Sequence, residues 1–243
     1  MLKYINYRGI NTLNSDKCII FDMDGVLINS EPLHFDFENK LFKSLGITVS
    51  QEEHETFVGT TAKTMWTMIK QTHNLPFTVS ELIIKGQSDF LKYLENHTPI
   101  KLIPGIEELL IKLKNSGYYI ALGSSSPNKL INYILDKNNI SKYFQIIVSG
   151  DDVVNGKPSP DIFLKTAELI DIKPVNCLVI EDSKNGVKAA KLAGMKCIGY
   201  FNPGSGSQDL TAADFILDSF YNLTNALLHK IFSDEIVHSN DSV

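Results

Sequence analysis

Five short, uninterrupted apolar runs punctuate the chain, at residues 17–21, 118–122, 145–148, 176–180 and 196–200. Their length suits strands, and their continuous apolar character predicts strands buried on both faces. Helical patterns fill most of the intervals. Pro104-Gly105-Ile106 opens one, with Leu109, Leu110 and Leu113 on a single face and Gly117 as its stop. Pro127 suits the first helical position after Ser126, and Ser183 opens a further helix that Gly194 closes. Strands alternating with helices predict an α/β fold: a doubly wound, Rossmann-like parallel sheet with helices on both faces. Ligands bind such sheets at the carboxyl ends of the strands.

Residues 31–97 break this rhythm, because they hold no strand-like run. Leu33, Phe37, Leu41 and Leu45 recur at helical spacing, and Gly46 ends the series. Ser50 with Glu53 resembles a capping box, and further helices are expected over 61–73 and 80–96. The expected organisation has an N-terminal extension (1–16) and an α/β core made of 17–30 and 98–225. A helical cap domain (31–97) is inserted after the first strand, and a C-terminal tail (226–243) follows the core. The connections of the cap fall near 27–31 and 97–103, where they would act as hinges, and an insertion there can cover a site like a lid. Residues 201–207 read as a turn-rich loop, and 233–243 as a polar end expected to be mobile.

Composition narrows the class of partner. Over 243 residues, 43% hydrophobic and 21% charged content describe an ordinary globular chain. A formal net charge of -5 offers no basic stripe for a phosphate backbone, so no nucleic-acid partner is expected. No segment reads as a signal peptide or as long and apolar enough to span a membrane. Cys18, Cys177 and Cys197 each sit in an apolar run and read as buried small hydrophobes, which suits a reducing compartment. The expectation is a cytoplasmic protein, either a monomer or a small homo-oligomer.

Four strand ends carry polar residues where the apolar run gives way to a loop. At the first, Asp22 and Asp24 point the same way from an extended chain, and like charges that close perturb each other unless a cation intervenes. At the second, Ser124-Ser125-Ser126 precedes a helix, either as an anion site or simply as an N-cap. At the third, Lys157 is held between Gly156 and Pro158, restricted in conformation where most surface lysines are not. At the fourth, Glu181 and Asp182 follow an apolar strand; alone, Asp182 or Ser183 would be read as a helix cap. Together the four are far more specific. Carboxylates from two strands can share a hard divalent cation such as Mg²⁺ with a substrate phosphate. Hydroxyl, backbone N–H and ammonium groups then face the other phosphate oxygens, which is what phosphoryl transfer needs.

With FDMDGVLINSEPLH (21–34), the Ser124 strand end, GKPSPDIF (156–163) and VIEDSKNGVKAAKLAG (179–194) in order, the chain resembles the haloacid dehalogenase-like superfamily. The resemblance is to its helical-cap branch of small-molecule phosphatases and beta-phosphoglucomutases, over about residues 17–200. It implies that Asp22 is the nucleophile and that Asp24 protonates the leaving oxygen and later deprotonates water. It further implies Mg²⁺ held by Asp22, the Asp24 carbonyl and Asp182, with Glu181 at or behind the metal. Ser124, the Ser125 backbone and Lys157 would grip the phosphoryl group. The implied reaction is hydrolysis of a small, sugar phosphate-like metabolite; a beta-phosphoglucomutase-like isomerase and a non-catalytic metabolite binder are the alternatives. The mutases carry a cap arginine, and here its position falls at or near Ala62, with Lys63 one residue off. His34, Gly59, Thr60, Thr61 and Lys63 are the candidate cap contacts to substrate, and Lys85 lies near the place of a second cap lysine.

Overall fold

The structure, a computed structural model, describes residue 14 and residues 16–57, 60–96 and 100–233. Its sheet has six parallel strands: β1 (Cys18–Phe21), β2 (Tyr119–Gly123), β3 (Ile146–Val148), β4 (Cys177–Glu181), β5 (Lys196–Tyr200) and β6 (Phe215–Leu217), in the order β3-β2-β1-β4-β5-β6. The five apolar runs are the first five strands. The sixth lies at the sheet edge in a half-exposed Phe-Ile-Leu triplet, too short and too mixed in burial to stand out in the sequence.

Alternation across the pleat divides each central strand between two cores. Ile19, Phe21, Ile120, Leu122, Leu178 and Ile180 belong to one hydrophobic cluster. Cys18, Ile20, Ala121, Cys177 and Val179 belong to the other, on the opposite face. The first face is covered by α5 (Ile106–Asn115), α6 (Asn128–Lys137) and α9 (Asn225–Phe232); the second by α7 (Asp161–Ile170) and α8 (Lys184–Leu192). All three cysteines are free and buried.

Two sequence boundaries shift. Pro127 is the N-cap of α6 rather than its first helical residue, with an extended ψ of 152°. The tail does not begin at 226: α9 runs through Phe232 and buries Leu228 and Ile231 in the core. Two lysines complete its end, Lys196 by donating to the Ile231 carbonyl and Lys17 by lying 5.2 Å from the Phe232 ring. Most of the expected N-terminal extension (1–13 and 15) and residues 234–243 lie outside the described residues.

Between β1 and α5 the described residues form four helices: α1 (Glu31–Ser44), α2 (Gln51–Glu55), α3 (Ala62–His73) and α4 (Val79–Glu95). Ser50 caps α2 by accepting from the Glu53 N–H at 3.1 Å. Thr78 rather than Ser80 starts α4, because Thr78 and Glu81 complete a reciprocal capping box. Phe42, Met65, Trp66, Ile69, Leu82 and Phe90 join these helices to the first core. The insertion's two connections run side by side, with the Ile103 N–H donating to the Leu27 carbonyl at 2.9 Å and Ile28 bridging to Leu102.

Candidate active site

Parallel strands deliver their loops to one edge of the sheet, and the four polar strand ends meet there. At the centre is Lys157, 1% exposed, whose Nζ donates to Asp22 Oδ1 at 2.6 Å and to Glu181 Oε1 at 2.7 Å. Asp22 stays in register beyond β1 through its N–H, which donates to the Ile180 carbonyl at 3.0 Å. Glu181 Oε2 accepts from both the N–H and the hydroxyl of Ser183, at 2.8 and 2.9 Å. Its carboxylate sits against the first turn of α8, where Gly186 leaves room; a Cβ there would come 1.6 Å from Glu181 Oε1.

Asp182 is fixed from two sides. Ser205 donates its hydroxyl to Oδ2, and Gly25 packs so close that a Cβ would lie 1.8 Å from the same oxygen. Gly25 also has φ +78°, a conformation that disfavours side chains. Gly25→Ala is therefore expected to destabilise the protein by about 1–3 kcal/mol through strain and displacement of Asp182, measurable by thermal or urea unfolding. Asn202 holds the turn from outside, its Nδ2 donating to the Gly25 carbonyl at 3.0 Å.

Oxygens of Asp22, Glu181 and Asp182 lie within 4.8 Å of one another. Three buried carboxylates thus face one ammonium. Burial pushes the Asp22 carboxyl up to about 8; Lys157 opposes this, while Glu181 and Asp24 add to it. Burial alone would lower the Lys157 ammonium, but Asp22 and Glu181 outweigh it and raise it. A set of hard oxygen donors with surplus negative charge fits a divalent cation.

Asp24 is held differently. Ser30 donates to its Oδ1, Ser126 to its Oδ2 at 2.7 Å, and His34 Nε2 lies 3.4 Å from Oδ1. Burial favours the protonated carboxyl, but His34 and the two hydroxyls outweigh it and hold Asp24 below its ordinary range. Ser30 occupies the N-cap of α1 without capping it, because its hydroxyl goes to Asp24 instead. Ser124 is fully buried and its Oγ accepts from the Ser126 N–H at 3.1 Å; Ser125 and Ser126 face the site cavity directly.

That cavity, about 150 Å³, runs from Asp22, Asp24 and Asp182 into the helical insertion. Its inner walls are Phe37, Leu41, Met65, Trp66 and Phe90, with Glu38, His54, Thr60 and Gln87 as polar groups. His34 stacks on Phe90 with ring centroids 4.3 Å apart. Of the cap candidates, His34 and Thr60 reach the cavity wall. Thr61 instead caps α3 and packs on Gly156 of the lysine turn, where a Cβ would come 2.2 Å from its methyl. Gly59 lies outside the described residues. Lys63 is exposed and not part of the wall; one residue beyond Ala62, it is turned about 100° away along the helix. Lys85 is also exposed and pairs with Asp89 at 2.9 Å. Ser126, read from sequence within the serine run, turns out to hold Asp24, and Ser30, Asn202, Ser205, Glu38 and His54 are site residues that sequence reasoning missed. The hydroxyls and Asn202 sit in turn-rich segments with no spacing signal, and Glu38 and His54 look like ordinary polar helix positions.

Fold and site together define a Rossmann-like α/β protein with a helical insertion over a carboxylate, hydroxyl and lysine centre. The chain belongs to the haloacid dehalogenase-like hydrolase family, whose pattern it matches over residues 19–200. It is 33% identical over 189 residues to a phosphorylated carbohydrates phosphatase of Thermotoga maritima, covering 75% of this chain and 83% of that one. It is 33% identical over 219 residues to beta-phosphoglucomutase of Bacillus subtilis, covering 88% and 94%. The crystal structure of beta-phosphoglucomutase from Clostridium difficile superposes with a TM-score of 0.80 at 27% identity, covering 90% of this chain and 98% of that one. Among the described residues, no helix is long and apolar enough to cross a membrane.

Proposed function

We propose that the chain is a Mg²⁺-dependent phosphatase that hydrolyses the phosphomonoester of a small, sugar phosphate-like metabolite, with residues 31–97 acting as a lid. The observation that carries this reading is the Lys157 bridge between Asp22 and Glu181, with Asp24 held separately two residues on. Asp22 attacks phosphorus; its new O–P bond forms as the ester O–P bond breaks, and Asp24, protonated in the substrate complex through His34 3.4 Å away, gives that proton to the departing alcohol. Water then attacks the aspartyl-phosphate, passes a proton to Asp24, and releases phosphate from Asp22. Lys157, the Ser124 hydroxyl and the Ser125 N–H hold the phosphoryl oxygens through both steps. Asp22, Asp182 and the Asp24 carbonyl would hold Mg²⁺, with Glu181 orienting Lys157 behind it. The ion, when bound, neutralises charge on the phosphoryl group.

The relatives include both a phosphatase and a mutase, and the cavity favours the first. A mutase must hold a substrate with two phosphates, yet the described wall contains neither lysine nor arginine. The only arginine of the chain is Arg8, far from residues 31–97 in sequence.

The test is phosphate release from 4-nitrophenyl phosphate, which EDTA should abolish and Mg²⁺ restore. With beta-glucose 1-phosphate and a bisphosphate activator, release of phosphate is expected; rapid formation of glucose 6-phosphate would overturn the ranking. The metal should also show a pH signature. Burial keeps Asp22 protonated up to about pH 8 in the metal-free protein, and Mg²⁺ needs the carboxylate. Affinity is expected to rise from pH 6 to 8.5, with proton release visible by calorimetry in buffers of different ionisation enthalpy.

A further inference from the structure

We infer that the inner, insertion-facing part of the cavity selects a single class of leaving group. This is a small uncharged alcohol with an apolar face and a hydroxyl, distal to the phosphoester, received by the Glu38–His54 pair. The inference rests on the phosphatase reading and narrows its substrate.

Size comes first. A cavity of about 150 Å³ matches an engineered protein cavity that takes up benzene, so the enclosed part of the alcohol is on the order of six non-hydrogen atoms and a nucleoside would extend beyond it. Charge comes next. The ionisable side chains on the described wall are Asp22, Asp24, Glu38, Asp182, His34 and His54. Around the leaving group itself the ionisable groups are Glu38, His34 and His54, so a second phosphate or a carboxylate there would meet no lysine or arginine. Such burial is strongly unfavourable.

Polarity comes last. Phe37, Leu41, Met65, Trp66 and Phe90 offer apolar surface, against which an aromatic ring or the C–H face of a sugar packs. Glu38 and His54 break this apolar lining. His54 Nε2 and Glu38 Oε2 are 2.6 Å apart, tying α2 to α1, and their side chains are only 9% and 14% exposed. The Phe35 ring meets His54 edge-on at 4.9 Å and fixes its plane. Among the described residues, Glu38 Oε1 has no protein hydrogen-bond partner. A positioned carboxylate oxygen on a largely apolar wall is an acceptor for a substrate hydroxyl, and sites built around such a bond reject analogues lacking it.

The experiment measures kcat/KM for phosphate release by the full chain with Mg²⁺. The neutral substrates are 2-(4-hydroxyphenyl)ethyl phosphate, its analogue 2-phenylethyl phosphate and glucose 6-phosphate. The excluded classes are represented by 3-phosphoglycerate, fructose 1,6-bisphosphate and AMP. At least one hydroxyl-bearing neutral monophosphate is expected to exceed all three excluded substrates by about tenfold or more, as a missing polar partner predicts. The wild type is expected to prefer the hydroxylated phenylethyl ester, and Glu38→Leu, which removes the acceptor, to shrink that preference about tenfold by raising its KM.

Gln87→Lys, which places a cation on the wall, should raise relative turnover of the bisphosphate and keeps the test open if Glu38→Leu does not fold. The inference is overturned by 3-phosphoglycerate or the bisphosphate matching the neutral esters. It is equally overturned by a hydroxyl preference that Glu38→Leu leaves intact. Failure to release phosphate from any substrate, 4-nitrophenyl phosphate included, would sink the phosphatase reading itself and this inference with it.

Discussion

Asp22→Asn is expected to abolish turnover, lowering kcat/KM by about four orders of magnitude or more, as loss of a nucleophile does. The folded state should survive. An asparagine amide oxygen can still accept from Lys157, and the site loses one of three buried carboxylates that face a single ammonium. Burial raises the folded carboxyl of Asp22 from 3.8 to about 8. Between those values the folded protein keeps a proton that the unfolded chain has released, so wild-type stability falls as pH rises through this window. The amide introduced by Asp22→Asn does not titrate and carries no such liability. In metal-free protein, the variant's melting temperature relative to wild type should climb from pH 5 to pH 8.5. An inactive variant that is also markedly less stable at pH 8.5 would contradict this account of the site.

Lys157→Met should be costly in both respects. The methionine fills similar space against Phe163 but leaves Asp22 and Glu181 buried without their shared cation. Removing one partner of a buried ion pair costs about 3–5 kcal/mol, and loss of one fixed charge at a transferring phosphoryl group costs about 10²–10³ in kcat. Added Mg²⁺ should recover part of the stability, by restoring positive charge beside the carboxylates, without recovering the rate. Unfolding with and without Mg²⁺, alongside steady-state kinetics, separates the two effects.

The sequence was legible where one physical demand dominated. A strand buried on both faces must be continuously apolar, so Cys18–Phe21, Tyr119–Gly123 and Cys177–Glu181 stood out, and their polar ends marked the site. β6 did not, because an edge strand with half-exposed side chains lacks that constraint. Nor did α9, whose short apolar pattern lies in a stretch that otherwise reads as a tail. The carboxylates were visible as types at strand ends, but their partners were not. Ser205 reaches Asp182 across 23 residues and Ser126 reaches Asp24 across 102, contacts that only the closed sheet creates. The same holds for Glu38 and His54, brought together by the crossing of two helices.

Gly156 meets Thr61 with no room for even a methyl group between them. The helical layer therefore rests directly on the backbone of the turn that carries Lys157, like a key whose fit is defined by what has been cut away. On the turn's side there is no side chain left to trade, so the seating distance of the helices above the phosphate grip is set by the Thr61 side chain resting on bare peptide backbone.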